Sequence, residues 1–85
     1  MWKQMENNRG WERTLGKLSL HVRRPTGATN PELYCHVFGI ELVTKFEDTP
    51  EGEIAAMRYC DIQAKRFLKD ALEVLNAKDK DGQAT

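Results

Sequence analysis

The sequence predicts an α+β fold, a three-stranded antiparallel β-meander packed against one long C-terminal α-helix. Three observations carry this reading. Leu18, Leu20 and Val22 alternate with Ser19, His21 and Arg23, the period of a half-buried strand. The run from Leu33 to Phe46 holds Tyr34, Val37, Phe38, Ile40, Val43 and Thr44, residues suited to a pleated surface. Beyond Thr49-Pro50-Glu51, apolar residues recur at three- and four-residue steps as far as Leu75.

Size and charge bound the rest. The chain has 85 residues, enough for one small core. Thirteen Lys and Arg balance thirteen Asp and Glu, so no global field draws the protein to nucleic acid or an anionic membrane. Hydrophobic residues at 40% are too many for a disordered chain. The balance hides an asymmetry: residues 1–46 carry seven bases and four acids (+3), residues 47–85 six and nine (−3). No apolar stretch approaches a membrane span, and no apolar segment follows Met1 as in a signal peptide. With only Cys35 and Cys60, there is no disulfide framework. These features point to a cytoplasmic protein with reduced thiols and no membrane partner.

In chain order, residues 1–10 are polar and aperiodic, and read as a flexible arm outside a domain of residues 11–77. Residues 17–23 form the first strand. Arg24 to Pro31 is a loop, since two prolines and a glycine cannot continue a ladder. The Leu33–Phe46 run is long for one strand. It divides into two around Gly39–Glu41, or forms one bent strand with a bulge at Gly39. Thr49 can cap a helix, Pro50 suits its first position, and Glu51 and Glu53 suit the positive end of its dipole. Gly52 weakens that start. The expected core is Leu18, Leu20, Val22, Val37, Ile54, Met57, Cys60, Ala64, Phe67, Leu68, Ala71 and Leu75. Asp61 and Lys65 can pair across one turn. The helix should fade near Asn76, leaving residues 78–85 as a disordered tail.

The candidates for chemistry are few. His21, Cys35, His36 and Cys60 have the right donor types for zinc, but their spacing matches no closed site, so no metal or other cofactor is expected. Neither cysteine has a local histidine and acid to make it a nucleophile, and there is no phosphate loop or HExxH. The expectation is therefore a non-enzymatic protein. Two surfaces remain. Glu47, Asp48, Glu51 and Glu53 cluster at the helix start, where carboxylates can imitate phosphates and compete for Arg and Lys on a target. Arg13, Arg23, Arg24 and Lys45, with Arg9 and Trp11 nearby and Tyr34 and His36 available to stack, can track a phosphate backbone. The bland reading of that second set is a solvated outer sheet face. Trp11 should cover an edge of the core, whereas Trp2 either folds back or reaches for a partner.

The order of elements from Gly16 to Leu75 resembles small phage- and prophage-encoded α+β proteins of the anti-CRISPR and host-takeover inhibitor type. The likeness rests on the strand Lys17-Leu18-Ser19-Leu20-His21-Val22, then Tyr34-Cys35-His36-Val37, a short third strand, an acidic Thr-Pro-Glu-x-Glu helix start and an alanine-rich amphipathic helix. It is a likeness of architecture without a shared motif, so no functional residue comes with it. It implies an inhibitor that binds a host protein or ribonucleoprotein complex and blocks it without catalysis, here through the acidic helix start. A small nucleic-acid-binding module using the basic residues is the alternative. The apolar stripe also outruns the strands. Either a second copy covers its end in a homodimer, or the arm carrying Trp2 and Met5 folds over it.

Overall fold

The structure is a computed structural model that describes residues 1–25 and 32–82. It is an α+β fold with five strands: β1 (Lys3–Gln4), β2 (Gly10–Leu15), β3 (Leu18–Arg23), β4 (Glu32–Val37) and β5 (Ile40–Glu47). They form one antiparallel sheet in sequence order, and the helix α1 (Pro50–Gly82) lies across one face.

The sheet exceeds the expected three strands because the N-terminal segment joins it. Lys3 and Gln4 pair with Glu12 and Trp11, and a single 3-10 turn at Glu6–Asn8 returns the chain to β2. Gly10 makes the return possible: its φ is +132°, and a side-chain carbon there would collide with the Val22 carbonyl. The segment read as an arm thus carries an edge strand. Its polarity reflects a place at the rim of the sheet, where side chains face water.

Both tight hairpins follow from turn chemistry. Gly16 at φ +62° opens the two-residue connection between Leu15 and Leu18. Phe38 and Gly39, both at positive φ, connect Val37 to Ile40. The Leu33–Phe46 run is therefore two strands, and Gly39 is a turn residue. A bulge does occur, further on: Tyr34 opposes Lys45 and His36 opposes Glu41, so Leu42, Val43 and Thr44 together face Cys35. Of the loop expected at Arg24–Pro31, residues 26–31 lie outside the described residues.

The helix starts as its sequence indicates. The Gly52 N–H donates to Thr49 Oγ1 at 3.0 Å and the Glu53 N–H to the Thr49 carbonyl at 2.8 Å, with Pro50 in the first turn. Gly52 is a requirement here and not a weakness, because a side chain would collide with the Glu47 carbonyl. The helix continues to Gly82, past the expected fade at Asn76. Residues 83–85 of the expected tail lie outside the described residues.

The buried core is Leu20, Val22, Leu33, Cys35, Val37, Ala56, Cys60 and Ala64. On α1 the buried ridge is Ala56-Cys60-Ala64, at four-residue spacing, with Met57, Tyr59 and Phe67 half-buried around it. Several expected core residues lie elsewhere: Leu18, Ile54, Leu68 and Leu75 are 41–56% exposed, and Ala71 is also exposed. The helix has turned its smallest residues to the sheet, which rotates the ridge away from Ile54 and Leu68. Beyond Phe67 the helix outruns the strands. Its 33 residues span about 50 Å against about 20–27 Å for the longer strands. Trp2 does not cover that overhang. It packs beside the core, and its indole N–H donates to Asp61 at 3.3 Å.

Two substitutions separate the observed core from the expected one. Leu33→Ala should cost about 2–5 kcal/mol in urea unfolding, because Leu33 is fully buried. Leu68→Ala should cost about 0.5 kcal/mol or less, as for an exposed position. Equal losses would show that the helix is seated on its other stripe.

Candidate functional site

Arg24 brings the two sequence-derived surfaces together. It follows β3, where its backbone N–H donates to the Arg9 carbonyl at 2.8 Å. Its Nε donates to Asp48 Oδ2 at 2.6 Å and its Nη2 to Glu53 Oε1 at 2.6 Å, while Nη1 bonds the Asn8 carbonyl. One guanidinium thus ties the β1–β2 connection, the end of β3 and the start of α1. The fork geometry of arginine suits this triple role better than the point charge of lysine. The hydrogen bond from Arg24 holds the Asp48 carboxyl below its ordinary value, and the Asp48 partnership raises the Arg24 guanidinium above its own. Half of the acidic cluster is therefore engaged inside the protein. Glu47 and Glu51 are exposed and make no ion pair among the described residues.

Arg13 is engaged in the same way. It stands on the helix side of β2, opposite Leu20, and its Nη1 donates to Asp61 Oδ1 at 2.9 Å. Asp61 also accepts from Trp2, so it pairs back to the sheet and not along the helix to Lys65. Trp11, opposite Val22, lies half-buried against the core.

The open face of the sheet is different. Strand pairing aligns its side chains into rows across the strands. One row runs Gly10, Arg23, Tyr34, Lys45, with Arg9 beside its first member. Lys45 Nζ lies 5.1 Å from the centre of the Tyr34 ring. Arg9, Arg23 and Lys45 are exposed and form no ion pair with a carboxylate among the described residues. The neighbouring row runs Lys3, Glu12, His21, His36, Glu41. Glu12 lies 3.7 Å from His21 Nε2 and Glu41 lies 3.4 Å from His36 Nε2, so each histidine faces an acid. Burial, then Arg23, lowers the His21 pKa from its ordinary value; Glu12 opposes this and His36 adds to it.

Where these rows meet the β1–β2 connection, the surface forms an open depression of about 610 Å³ lined by Met5, Arg9, Arg23, Arg24, Pro25, Tyr34, His36 and Glu41. It combines three guanidinium groups with an aromatic ring and one carboxylate. Sequence reasoning placed Arg9, Trp11, Arg13, Arg23, Arg24 and Lys45 in one set with Tyr34 and His36, and the structure keeps all but Arg13 and Trp11 near the depression. It missed Met5 and Glu41. Glu41 was in principle legible, since a two-residue hairpin between Val37 and Ile40 puts it opposite His36.

Cys35 and Cys60 are fully buried between β4 and α1. The neighbouring Cys35 thiol and burial push the Cys60 thiol well above its ordinary value, and the Cys35 and Cys60 thiols donate to the Ala56 and His21 carbonyls at 3.9 and 3.7 Å. They are packing residues that bond backbone oxygens. Among the described residues no group of three or more His, Cys, Asp or Glu is arranged to hold a metal, and no helix is long and apolar enough to cross a membrane.

Two pH-linked outcomes follow. Because the folded Asp48 value lies below the unfolded 3.8, its contribution to stability is complete above that value and is lost as pH falls through the folded one. Arg24→Ala should remove this acid-range loss and lower stability at neutral pH by about 1.5–3 kcal/mol, read by urea unfolding across pH. His21 also titrates below its unfolded 6.5 when folded, so its contribution is complete above 6.5 and declines as pH falls below it. His21→Gln should flatten the stability profile on the acid side of pH 6.5. An unchanged slope would contradict the burial of that ring.

Comparison with protein-family models, with curated proteins and with solved structures found no match for this chain.

Proposed function

We propose that this protein is a non-catalytic nucleic-acid-binding module that holds a single strand across the open face of its sheet. The observation that carries the reading is the row of Arg9, Arg23 and Lys45, three cations without carboxylate partners among the described residues, with Tyr34 between the last two. Adjacent strands are about 4.8 Å apart, so Arg23 and Lys45, two strands apart, span about 10 Å. That is a pitch at which neighbouring backbone phosphates can each find a cation. An aromatic ring between cations is a sequence-tolerant platform for a base. Zero net charge is no obstacle, because the field that matters is local; it does keep the expected affinity modest, with Glu12 and Glu41 in the next row.

The acidic helix start gives less support to a host-protein inhibitor. Asp48 and Glu53 already serve Arg24, so two of the four carboxylates that would imitate phosphates face inward. Charge reversal there would break the clamp along with any partner contact, and it is a poor probe of function.

The test is binding of a fluorescent single-stranded oligonucleotide over a range of salt. Three phosphate contacts on a single strand give a slope of log affinity on log salt of about −2. Arg23→Gln and Lys45→Gln should each reduce the slope by about 0.7, while Glu51→Gln should leave it unchanged. Absence of binding at low salt would remove the proposal.

A further inference from the structure

The geometry points to the depression beside the basic row as a subsite for one unpaired guanine nucleotide, with Glu41 as the residue that selects the base. This rests on the nucleic-acid reading and adds to it a ligand class and a specificity residue. The depression, about 610 Å³, falls within the range of small-ligand sites and exceeds what one phosphate needs. Its groups also divide by chemistry. Arg9, Arg23 and Arg24 supply cations; Tyr34, Met5 and Pro25 supply apolar surface; Glu41 is the only acid on its rim among the described residues.

Facing His36 accounts for one oxygen of Glu41, but beside three arginines the carboxylate still repels any phosphate that they attract. Acceptance from a base resolves it. An ionised carboxylate is acceptor-only and has two oxygens side by side. On the edges left free in a single strand, guanine presents two adjacent donors, N1–H and the N2 amino group. Adenine and cytosine each set one amino donor beside a ring acceptor, and thymine sets its single N–H between two carbonyls. Guanine is the base whose donor pattern matches both oxygens.

The position of Glu41 fits that role. It stands opposite His36 on the open face, its side chain is 58% exposed, and Oε1 lies 3.4 Å from His36 Nε2. His36 is itself only 21% exposed, and its Nε2 faces Oε1 without forming a hydrogen bond among the described residues. Glu41 therefore keeps acceptor capacity toward the depression.

The experiment uses thymidine hexamers carrying a single guanine, adenine or cytosine, and the plain thymidine hexamer, titrated into the full chain and into Glu41→Gln. The wild type should bind the guanine hexamer at least about fivefold more tightly than the other three. Glu41→Gln, which offers one acceptor and one donor, should lose that preference. It should still bind the thymidine hexamer at least as well and show the wild-type thermal midpoint. Equal affinity of the wild type for all four hexamers would overturn the guanine subsite and leave the basic row standing. A guanine preference that survives Glu41→Gln would overturn the role of Glu41. Failure of every hexamer to bind at low salt would overturn the nucleic-acid reading beneath both.

Discussion

Ala56, Cys60 and Ala64 recur at four-residue steps along α1, and their short side chains let the helix backbone come close to a sheet face built from Leu20, Val22, Leu33, Cys35 and Val37. That close approach sets the form of the molecule. A tight seam leaves room for few large side chains between the layers, so the larger ones move to its borders. Trp2 and Trp11 close one flank, Phe46 packs at a tilt against Tyr59 along the β5 side, and Phe38 meets Phe67 where the helix leaves the sheet. A single helix covers a single face. Among the described residues no second helix lies on the opposite face, and its side chains are available to a ligand.

The same seam explains where the charges go. Ion pairs with partly buried, well-shaped geometry gather at the two borders, Arg13 with Asp61 on the β2 side and Arg24 with Asp48 and Glu53 at the helix start. These pairs fasten the helix to the sheet at points where the apolar core ends. What remains outside them is sorted by row on the open face, cations with Tyr34 in one and histidine–glutamate neighbours in the next. A chain of zero net charge thus acquires a local basic strip, because its structural ion pairs withdraw three acids against two bases and strand pairing sets Arg23 and Lys45 in one row.

Strand alternation, the Thr49-Pro50 helix start and the two-layer α+β plan were legible in the sequence, because each rests on local periodicity or capping chemistry. The edge strand β1 was not, since two polar residues at a rim have no period to read. The core face of the helix was misjudged for a different reason. Hydrophobicity weights Ile54, Leu68 and Leu75 heavily, but the approach distance selects for small volume, and Ala56 is silent on such a scale. The site was half legible. Arg23, Lys45 and Tyr34 were visible as types, whereas the capture of Arg13 by Asp61 and of Arg24 by Asp48 and Glu53 depends on contacts 24 to 48 residues apart. No spacing rule reaches that far.

The central claim is that ligand meets the open sheet face and not the helix start or the helix overhang. Backbone amide shifts in an isotope-labelled sample titrated with a single-stranded oligonucleotide test it most directly. The perturbed amides should cluster at Arg9, Arg23, Tyr34, His36, Glu41 and Lys45, with those of Ala56, Cys60, Ala64 and Leu72 unmoved. Perturbations centred on Glu51, Glu53 and the first turn of α1, with the open face silent, would contradict it.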